Sequence, residues 1–209
     1  RYELYPSAGE LFTVGVFYKN FENPIESIFN EGSGGASLFS FQNVSKATAF
    51  GFEVEGRKKL TTRFTLQANG SYINSKTKDA ALNVDRPLQG QSPYLINTGL
   101  LYDVVEKGFN MTVLFNQVGK RIYLVGDLQA GAATPDVFEN PRALVDFQIS
   151  KKFAENKAEI RFTISDILNQ RQIFYQNNNS NSDYSAGSDA IRFSRKFGTT
   201  FGVTLNYSL

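Results

Sequence analysis

The segment RKFGTTFGVTLNYSL, Arg195 to Leu209, alternates apolar residues with small or polar ones, and the pattern extends back to Ile191. Alternation at period two predicts a β-strand with two unlike faces. The apolar face of the predicted strand carries Ile191, Phe193, Phe197, Phe201, Val203, Leu205, Tyr207 and Leu209. The segment therefore predicts one long terminal strand, and the question is what its apolar face contacts.

The same alternation recurs along the whole chain of 209 residues. It predicts nine strands, counting a short one at the start, and no convincing helix. The strands upstream of the terminal one are centred on RYELY, residues 12–19, 50–55, 64–72, 94–103, 109–115, 143–149 and 159–165. An all-β architecture follows from this pattern.

The connections between these strands run short, long, short, long. The short ones are PSAGE, KKLTT, DVVEKG and FAENK, and the long ones include KTKDAALNVDRPLQGQSP and QNNNSNSDYSAGS. Tight turns at one end and long loops at the other are typical of an up-and-down barrel of the outer membrane. The C-terminus then lies at the short-turn, periplasmic end.

A soluble β-sandwich would also alternate apolar and polar residues. Here, however, the non-apolar face is rich in Gly, Thr, Ser, Asn and Gln, whereas a soluble barrel would expose mainly Lys and Glu. Aromatic residues also gather towards strand ends, as in the interfacial girdles of membrane barrels. We therefore predict a transmembrane antiparallel up-and-down β-barrel.

In such a barrel the strands satisfy one another's backbone groups, so only side chains meet the hydrocarbon. We expect the terminal strand to face lipid through Phe193, Phe197, Phe201, Val203, Leu205 and Tyr207. Because a strand needs about 9 to 11 residues to cross the bilayer, this one is expected to project beyond the outer leaflet.

Composition argues against catalysis and against nucleic-acid binding. The chain has no Cys and no His, which removes thiolate chemistry, imidazole bases and the usual zinc sites. Its net charge of +2 is too weak to indicate a nucleic-acid partner. We predict no enzyme activity, no catalytic residue, no metal site and no cofactor.

Single-chain bacterial barrels generally have an even number of strands. Nine strands, of which the first is short, predict that residues 1–209 are the C-terminal part of one larger barrel domain. The earlier strands and any plug would lie upstream. This part alone would leave two sheet edges unpaired.

The segments ELFTVGVFYKNFENPIE, ATAFGFEVEGRKKL, RPLQGQSPYLINTGLLYD, ALVDFQISKKF, EIRFTISDILNQ and FGTTFGVTLNYSL resemble the closing half of a TonB-dependent outer-membrane receptor of the Bacteroidetes type. The resemblance covers essentially the whole chain. It implies a barrel of about 22 strands closed by a plug. The terminal Leu209 departs from the aromatic final residue common in outer-membrane proteins.

The resemblance implies a protein of the bacterial outer membrane that imports a bulky nutrient when TonB pulls on the plug. The cargo implied is a ferric siderophore, a cobalamin, a glycan or a peptide, and a surface lipoprotein lid is a further possible partner. The part that contacts TonB would lie upstream, so no functional residue of the family carries over to this chain.

Charged residues at lumen-facing positions form the first group of candidate sites. Glu53, Glu55 and Arg57 share one parity on their strand, as do Glu159 and Arg161 on another. We expect them to hold the plug or to solvate a water-filled interior.

The long loops form the second group, since binding residues concentrate on loops held by a rigid scaffold. Asp127, Asp136 and Glu139 offer oxygen ligands for a hard cation, but their spacing matches no defined calcium loop, which favours solvated acids. Tyr175 and Tyr184 flank the Asn-rich run and are candidate stacking platforms for a sugar; a polar loop without ligand is the favoured alternative.

Two other function classes stay open at this point. A self-contained outer-membrane barrel of about eight or ten strands, acting as an adhesin, pore or membrane enzyme, would need an even closed count. A soluble β-sandwich would need its Phe and Ile faces to pack on each other.

Overall fold

The computed structural model describes residues 1–31, 37–79, 84–127, 134–178 and 183–208. Within these ranges the chain is almost entirely β-strand, with one 3-10 turn at Val105–Lys107. The strands are β1 (Tyr2–Leu4), β2 (Leu11–Glu22), β3 (Ile25–Glu31), β4 (Ser37–Asn43), β5 (Lys46–Lys59), β6 (Phe64–Asp79), β7 (Val84–Arg86), β8 (Tyr94–Val104), β9 (Phe109–Val118), β10 (Arg121–Gly126), β11 (Val137–Glu139), β12 (Arg142–Phe153), β13 (Ala158–Ser165), β14 (Gln172–Gln176), β15 (Ala190–Arg195) and β16 (Thr200–Tyr207). No helix among the described residues is long and apolar enough to span a membrane.

Nine strands form one antiparallel sheet, here called the wall, in the order β1-β2-β5-β6-β8-β9-β12-β13-β16. Its members are the nine strands that the alternation predicts. Neighbours in the wall are neighbours in the chain once the long loops are set aside, which confirms the up-and-down meander. In the described residues β1 and β16 are the two ends of this path, so the wall is open.

The register of the wall aligns the predicted apolar positions across all nine strands. Val14 pairs with Val54, Leu66 with Leu100, and Phe162 with Val203. These residues therefore share one face, here called the apolar face, and the opposite face is called the polar face. In the part of the chain that the structure describes, side chains on the apolar face are exposed, with Val16 and Val203 each at 70%. A soluble sandwich, which buries such a face, does not describe this sheet.

The wall is joined at one end by short turns and at the other by long connections. The turns span residues 5–10, 60–63, 105–108 and 154–157. The long connections contain strands that the sequence pattern did not predict, and also β15, which the pattern predicted as part of the terminal strand. Six of them form a second sheet, the loop sheet, in the order β15-β14-β11-β10-β3-β4, and β7 pairs with β6.

Part of the loop sheet continues the wall without a change of register. β9 and β12 end their ladder at Val118–Arg142, and β10 and β11 begin theirs at Arg121–Glu139, so two residues on each strand separate the two pairs. Because the two spacers are equally long, the residue pairing of β10 with β11 continues the register of β9 with β12. The β9–β12 hairpin therefore extends above the wall as β10–β11.

The terminal strand is broken, which corrects the prediction of one continuous strand from Ile191. The β13–β16 ladder ends at Ser165–Thr200 and the β14–β15 ladder begins at Gln172–Arg195. Six residues on one side face four on the other, so the ladder cannot continue. Gly198 takes a φ of 87° in this gap, a conformation that suits glycine.

The break changes the setting of two of the six terminal-strand residues. Phe193 lies in β15, where its ring stacks on Phe174 with centroids 4.2 Å apart. Phe197 lies between the strands, and Arg142 and Arg195 each lie over its ring. The other four, on β16, are on the apolar face with exposed fractions of 64–70% for Phe201, Val203, Leu205 and Tyr207. Their contact with lipid stays a prediction.

Candidate functional site

The polar face carries charged residues near the short-turn end of β5. Glu53 and Glu55 stand at the same parity as Arg57, as predicted. Glu55 lies 3.8 Å from an Arg1 guanidinium nitrogen, and Arg1 is also paired with Glu3 at 2.9 Å. Glu53 and Glu55 line a shallow recess with Arg1 on this face. Both carboxylates are exposed on the polar face.

Glu159 and Arg161 form a second charged pair on β13, with 3.0 Å between their side chains. They line an open recess of about 530 Å³ together with residues of the 105–108 turn. Four wall strands separate β13 from β5. The structure therefore does not combine the two predicted groups into one site; they are two separate charged points on the polar face.

Between these points the polar face carries a few charged residues, such as Asp103 on β8 and Asp146 on β12, and a row of amide side chains that are hydrogen-bonded across strands. Asn97 donates to the side chain of Asn69 at 2.8 Å and accepts from the side chain of Asn116. The three residues are directly paired in the register of β6, β8 and β9. This ladder, which the sequence analysis did not single out, gives the middle of the face polar groups without net charge.

The three loop acids do not converge on a cation. Asp127 accepts from the Asn30 amide at 3.1 Å, Asp136 accepts from the Gly126 backbone N–H at 2.8 Å, and Glu139 accepts from Arg121 Nε at 2.7 Å. Within the described ranges no group of three or more acidic side chains is placed to hold a metal ion. Each carboxylate has a hydrogen-bond partner within the protein, and a ligand contact of these three residues stays a prediction.

Tyr175, a candidate stacking platform, has a fully buried side chain in β14, with its ring centroid 5.0 Å from that of Tyr184. Its contact with a ligand stays a prediction. Its hydroxyl has no hydrogen-bond partner in the described part of the chain. Burial raises the pKa of Tyr175 to about 12. Tyr184 is half-buried and packs against Tyr175, and its contact with a ligand stays a prediction.

Gln89, in the β7–β8 connection, joins two strands of the loop sheet through its side chain. Its amide accepts from the Ser27 N–H at 2.7 Å and donates to the carbonyls of Ser27 and Tyr123 at 3.0 and 2.8 Å. Above this point β3 and β10 pair directly, in parallel, at Val125–Ile28. Below it the Gln89 amide takes the place of a backbone peptide between them.

A buried ion pair holds the same connection. Arg86 donates to both carboxylate oxygens of Glu26, one of them at 3.0 Å, and the Glu26 side chain is 1% exposed. Asp136 lies near this pair, and its burial raises its pKa although the Gly126 N–H and Arg86 act in the opposite direction. No sequence signal pointed to Glu26, Arg86 or Gln89, because their partners are more than 30 residues away.

Comparisons with known proteins agree with this geometry. The chain is similar to the ferric enterobactin receptor PfeA (mutant G324V) of Pseudomonas aeruginosa, with 17% identity and a TM-score of 0.62 over 99% of this chain. It is similar to the siderophore receptor PirA of Acinetobacter baumannii, with 16% identity and a TM-score of 0.61 over 98% of this chain. The ferric-catecholate import receptor Fiu of E. coli gives 12% identity and a TM-score of 0.60 over 95%.

The chain spans 30% of the length of PfeA and PirA and 25% of that of Fiu. At these identities the likeness establishes the fold, an antiparallel outer-membrane β-barrel wall. A comparison with curated proteins gives no match. A family model described as "Outer membrane protein beta-barrel family" matches residues 1–207. This protein therefore belongs to the outer membrane protein β-barrel family.

Proposed function

We propose that this chain is the C-terminal part of the barrel of a receptor that imports a bulky nutrient across the outer membrane with energy transmitted by TonB. The observation that carries the proposal is the wall: nine in-register strands with one exposed apolar face, one polar face and, among the described residues, two edges without a further strand. Closing such a wall needs further strands. Under the proposal residues 1–209 form one barrel segment, with earlier strands and a plug upstream.

The polar face suits a plug better than an empty pore. The two charged points, at Glu53–Glu55 and at Glu159–Arg161, are near the short turns, and the Asn69–Asn97–Asn116 ladder lies between them. A folded plug presents polar backbone and side-chain groups, which these residues would bond. TonB would act on that plug from the periplasm, and a surface lipoprotein would contact the long-loop end.

The solved neighbours support ferric siderophores as the first cargo to test, because they are receptors for ferric enterobactin, ferric catecholates and siderophores. Cobalamin, a glycan and a peptide are the other cargo classes. The experiment uses the full-length receptor in its host, with the gene deleted and restored. Cell-associated ⁵⁵Fe-enterobactin, labelled cobalamin and labelled oligosaccharides and peptides are measured with and without a protonophore.

We expect one cargo to bind the surface of restored cells in both conditions and to accumulate inside them only without the protonophore. Accumulation that persists after the proton gradient collapses would contradict energised import and favour the diffusion pore. If deleted and restored cells bind and accumulate the same amounts of all four cargo classes, the receptor function itself is contradicted.

A double substitution tests whether the plug contacts β5. Replacing Glu53 and Glu55 by Gln removes two charges from the polar face. The control replaces Glu22, exposed at the end of β2, and Glu106, exposed in the Val105–Lys107 turn, by Gln and so removes two charges elsewhere. If the plug rests on β5, the first variant admits a large antibiotic such as vancomycin and the second does not. Equal antibiotic sensitivity of the two variants would remove Glu53 and Glu55 from the plug contact.

A further inference from the structure

The apolar face carries a lysine near the short-turn end of β12. Lys151 has the parity of Phe147 and Ile149, and it pairs with Phe109 on one side and with Ile160 on the other. Ile160 is 46% exposed beside it, so this row belongs to the exposed apolar face. A cation on the lipid face of a barrel is costly at the bilayer centre and tolerated near the interface. Lys151 therefore marks the level at which the hydrocarbon ends on the periplasmic side.

An aromatic row lies beyond Lys151, closer to the strand ends. Phe153, two residues further along β12, pairs with Ala158, and Ala158 pairs with Tyr207. Phe153 is 46% exposed and Tyr207 is 66% exposed. Aromatic rings gather at the head-group level of membrane barrels. Because these rings lie beyond Lys151, its ammonium group is at the level of the lipid head groups and has ring surfaces beside it.

Two further lysines lie in the short turns next to Lys151. Lys107 is in the turn between β8 and β9, and Lys157 is in the turn between β12 and β13. The first turn contacts the end of β12, since the Lys152 N–H donates to the Gly108 carbonyl at 2.7 Å. The Lys151 ammonium also donates to the Lys107 carbonyl oxygen. Lys107, Lys151 and Lys157 are all exposed and are here called the lysine corner.

The protein does not neutralise the lysine corner. In the part of the chain that the structure describes, no carboxylate lies within 4.0 Å of its ammonium groups. Glu106, next to Lys107 in the chain, pairs with Arg63 at 3.1 Å. Glu155, in the turn of Lys157, is the other acid of these two turns. Three ammonium groups and this one carboxylate leave positive charge in excess.

A lysine on β5 provides a contrast at the same end of the wall. Lys58 has the parity of the apolar face, as Lys151 does, and its ammonium lies 3.1 Å from Glu10 Oε1. The Glu10 residue is only 7% exposed. The protein therefore supplies the counter-charge on β5, whereas at the lysine corner the counter-charge has to come from outside the described residues.

We propose that the lysine corner binds the phosphate group of an acidic phospholipid in the inner leaflet of the outer membrane. An ammonium group forms charge-assisted hydrogen bonds with phosphate oxygens. Phe153 and Tyr207 contact the glycerol and upper acyl parts of the same lipid, as rings do at membrane interfaces. A zwitterionic phospholipid brings its own cation into the corner and is bound less. The inference depends on membership of the outer-membrane family and is independent of nutrient import.

The test uses the full-length receptor, purified in an uncharged detergent and incubated with dioleoyl-phosphatidylglycerol or dioleoyl-phosphatidylcholine. The two lipids have the same acyl chains and a phosphate, but only the first has a net negative charge. Bound lipid is counted by native mass spectrometry. The test variant is Lys107→Gln with Lys151→Gln, and Lys107→Arg with Lys151→Arg keeps the charge. The matched control, Lys46→Gln with Lys78→Gln, removes the same charge from exposed residues that pair at the long-loop end.

We expect the unchanged receptor to retain phosphatidylglycerol at least about tenfold better than phosphatidylcholine, the ratio that about 1.4 kcal/mol produces. The glutamine variant should lose this preference, and the arginine variant and the control should keep it. Equal retention of the two lipids by the unchanged receptor would overturn the proposal without any variant. A glutamine variant that keeps the preference, or a control that loses it equally, would overturn the assignment to the lysine corner.

Discussion

Replacing Gln89 by Ala should open the junction between β3 and β10. The Gln89 amide makes three hydrogen bonds to the backbone of Ser27 and Tyr123, which lie on different strands. Alanine has no amide and therefore removes all three hydrogen bonds. The direct β3–β10 pairing at Val125–Ile28 is short and stands next to this point.

The size of the effect follows from the number of bonds lost. A hydrogen bond of this kind contributes about 1 kcal/mol net, so three give about 3 kcal/mol of local stability. Because a factor of ten in an equilibrium constant corresponds to about 1.4 kcal/mol, the junction should open about a hundred times more often. The Ser27 N–H is the reporter, since its partner is Gln89 itself.

The assay is hydrogen–deuterium exchange of peptides containing Ser27, measured by mass spectrometry on the full-length receptor. Exchange of a protected amide reports the free energy of local opening. The matched control is Gln91→Ala, because Gln91 is in the same connection and its amide donates to the adjacent Ser92 carbonyl, at 2.9 Å, instead of joining two strands. We expect fast exchange at Ser27 in the first variant and unchanged exchange in the second.

If Ser27 exchanges equally slowly in both variants, the side-chain amide does not hold the two strands together. The β3–β10 contact would then depend on the direct backbone pairs alone. Equal acceleration in both variants would mean that the whole connection, rather than the Gln89 amide, supports the junction.

Four further changes test the local physics of the structure. Arg86→Ala leaves the buried Glu26 carboxylate unpaired and should cost about 3–5 kcal/mol of local stability, measured by exchange in β3. Gly51→Leu should lower the yield of folded receptor, because a Cβ there would lie 2.6 Å from a carbonyl oxygen of the neighbouring strand. Tyr175→Phe removes a buried hydroxyl without a partner in the described residues and should stabilise the loop sheet against urea by about 1 kcal/mol. The raised pKa of Asp136 adds stability below pH 3.8 that is lost as the pH rises through the folded-state pKa, so Asp136→Asn should flatten the acid-side pH dependence of exchange in β10.

Each of these expectations has a result that contradicts it. An Arg86→Ala receptor with native exchange in β3 would mean that water or another group compensates Glu26. A Gly51→Leu receptor that folds with normal yield would mean that the wall can shift at that point. Destabilisation by Tyr175→Phe would indicate that its hydroxyl has a bonding partner, and an unchanged pH profile in Asp136→Asn would remove that carboxyl as the source of the pH dependence.

The sequence by itself determined the nine strands of the wall, their order and the side to which each residue points. The reason is local: a strand with unlike surroundings on its two sides must alternate, and short turns leave consecutive antiparallel strands as neighbours. That Phe162 and Val203, which pair in the structure, lie on the same face was therefore predictable from parity. The same alternation predicted that the charged residues of β5 and β13 lie on the polar face.

Only the tertiary structure decided the long connections and the sites on them. Pairings that join different connections, such as that of β3 with β10 about 97 residues away, depend on contacts distant in sequence, so local alternation does not reveal them. The same holds for the burial of Tyr175, the partners of the three loop acids and the break before Thr200, which depends on unequal spacers in two different strands. Parity is a property of one strand, whereas these features arise from contacts between segments that the chain keeps far apart.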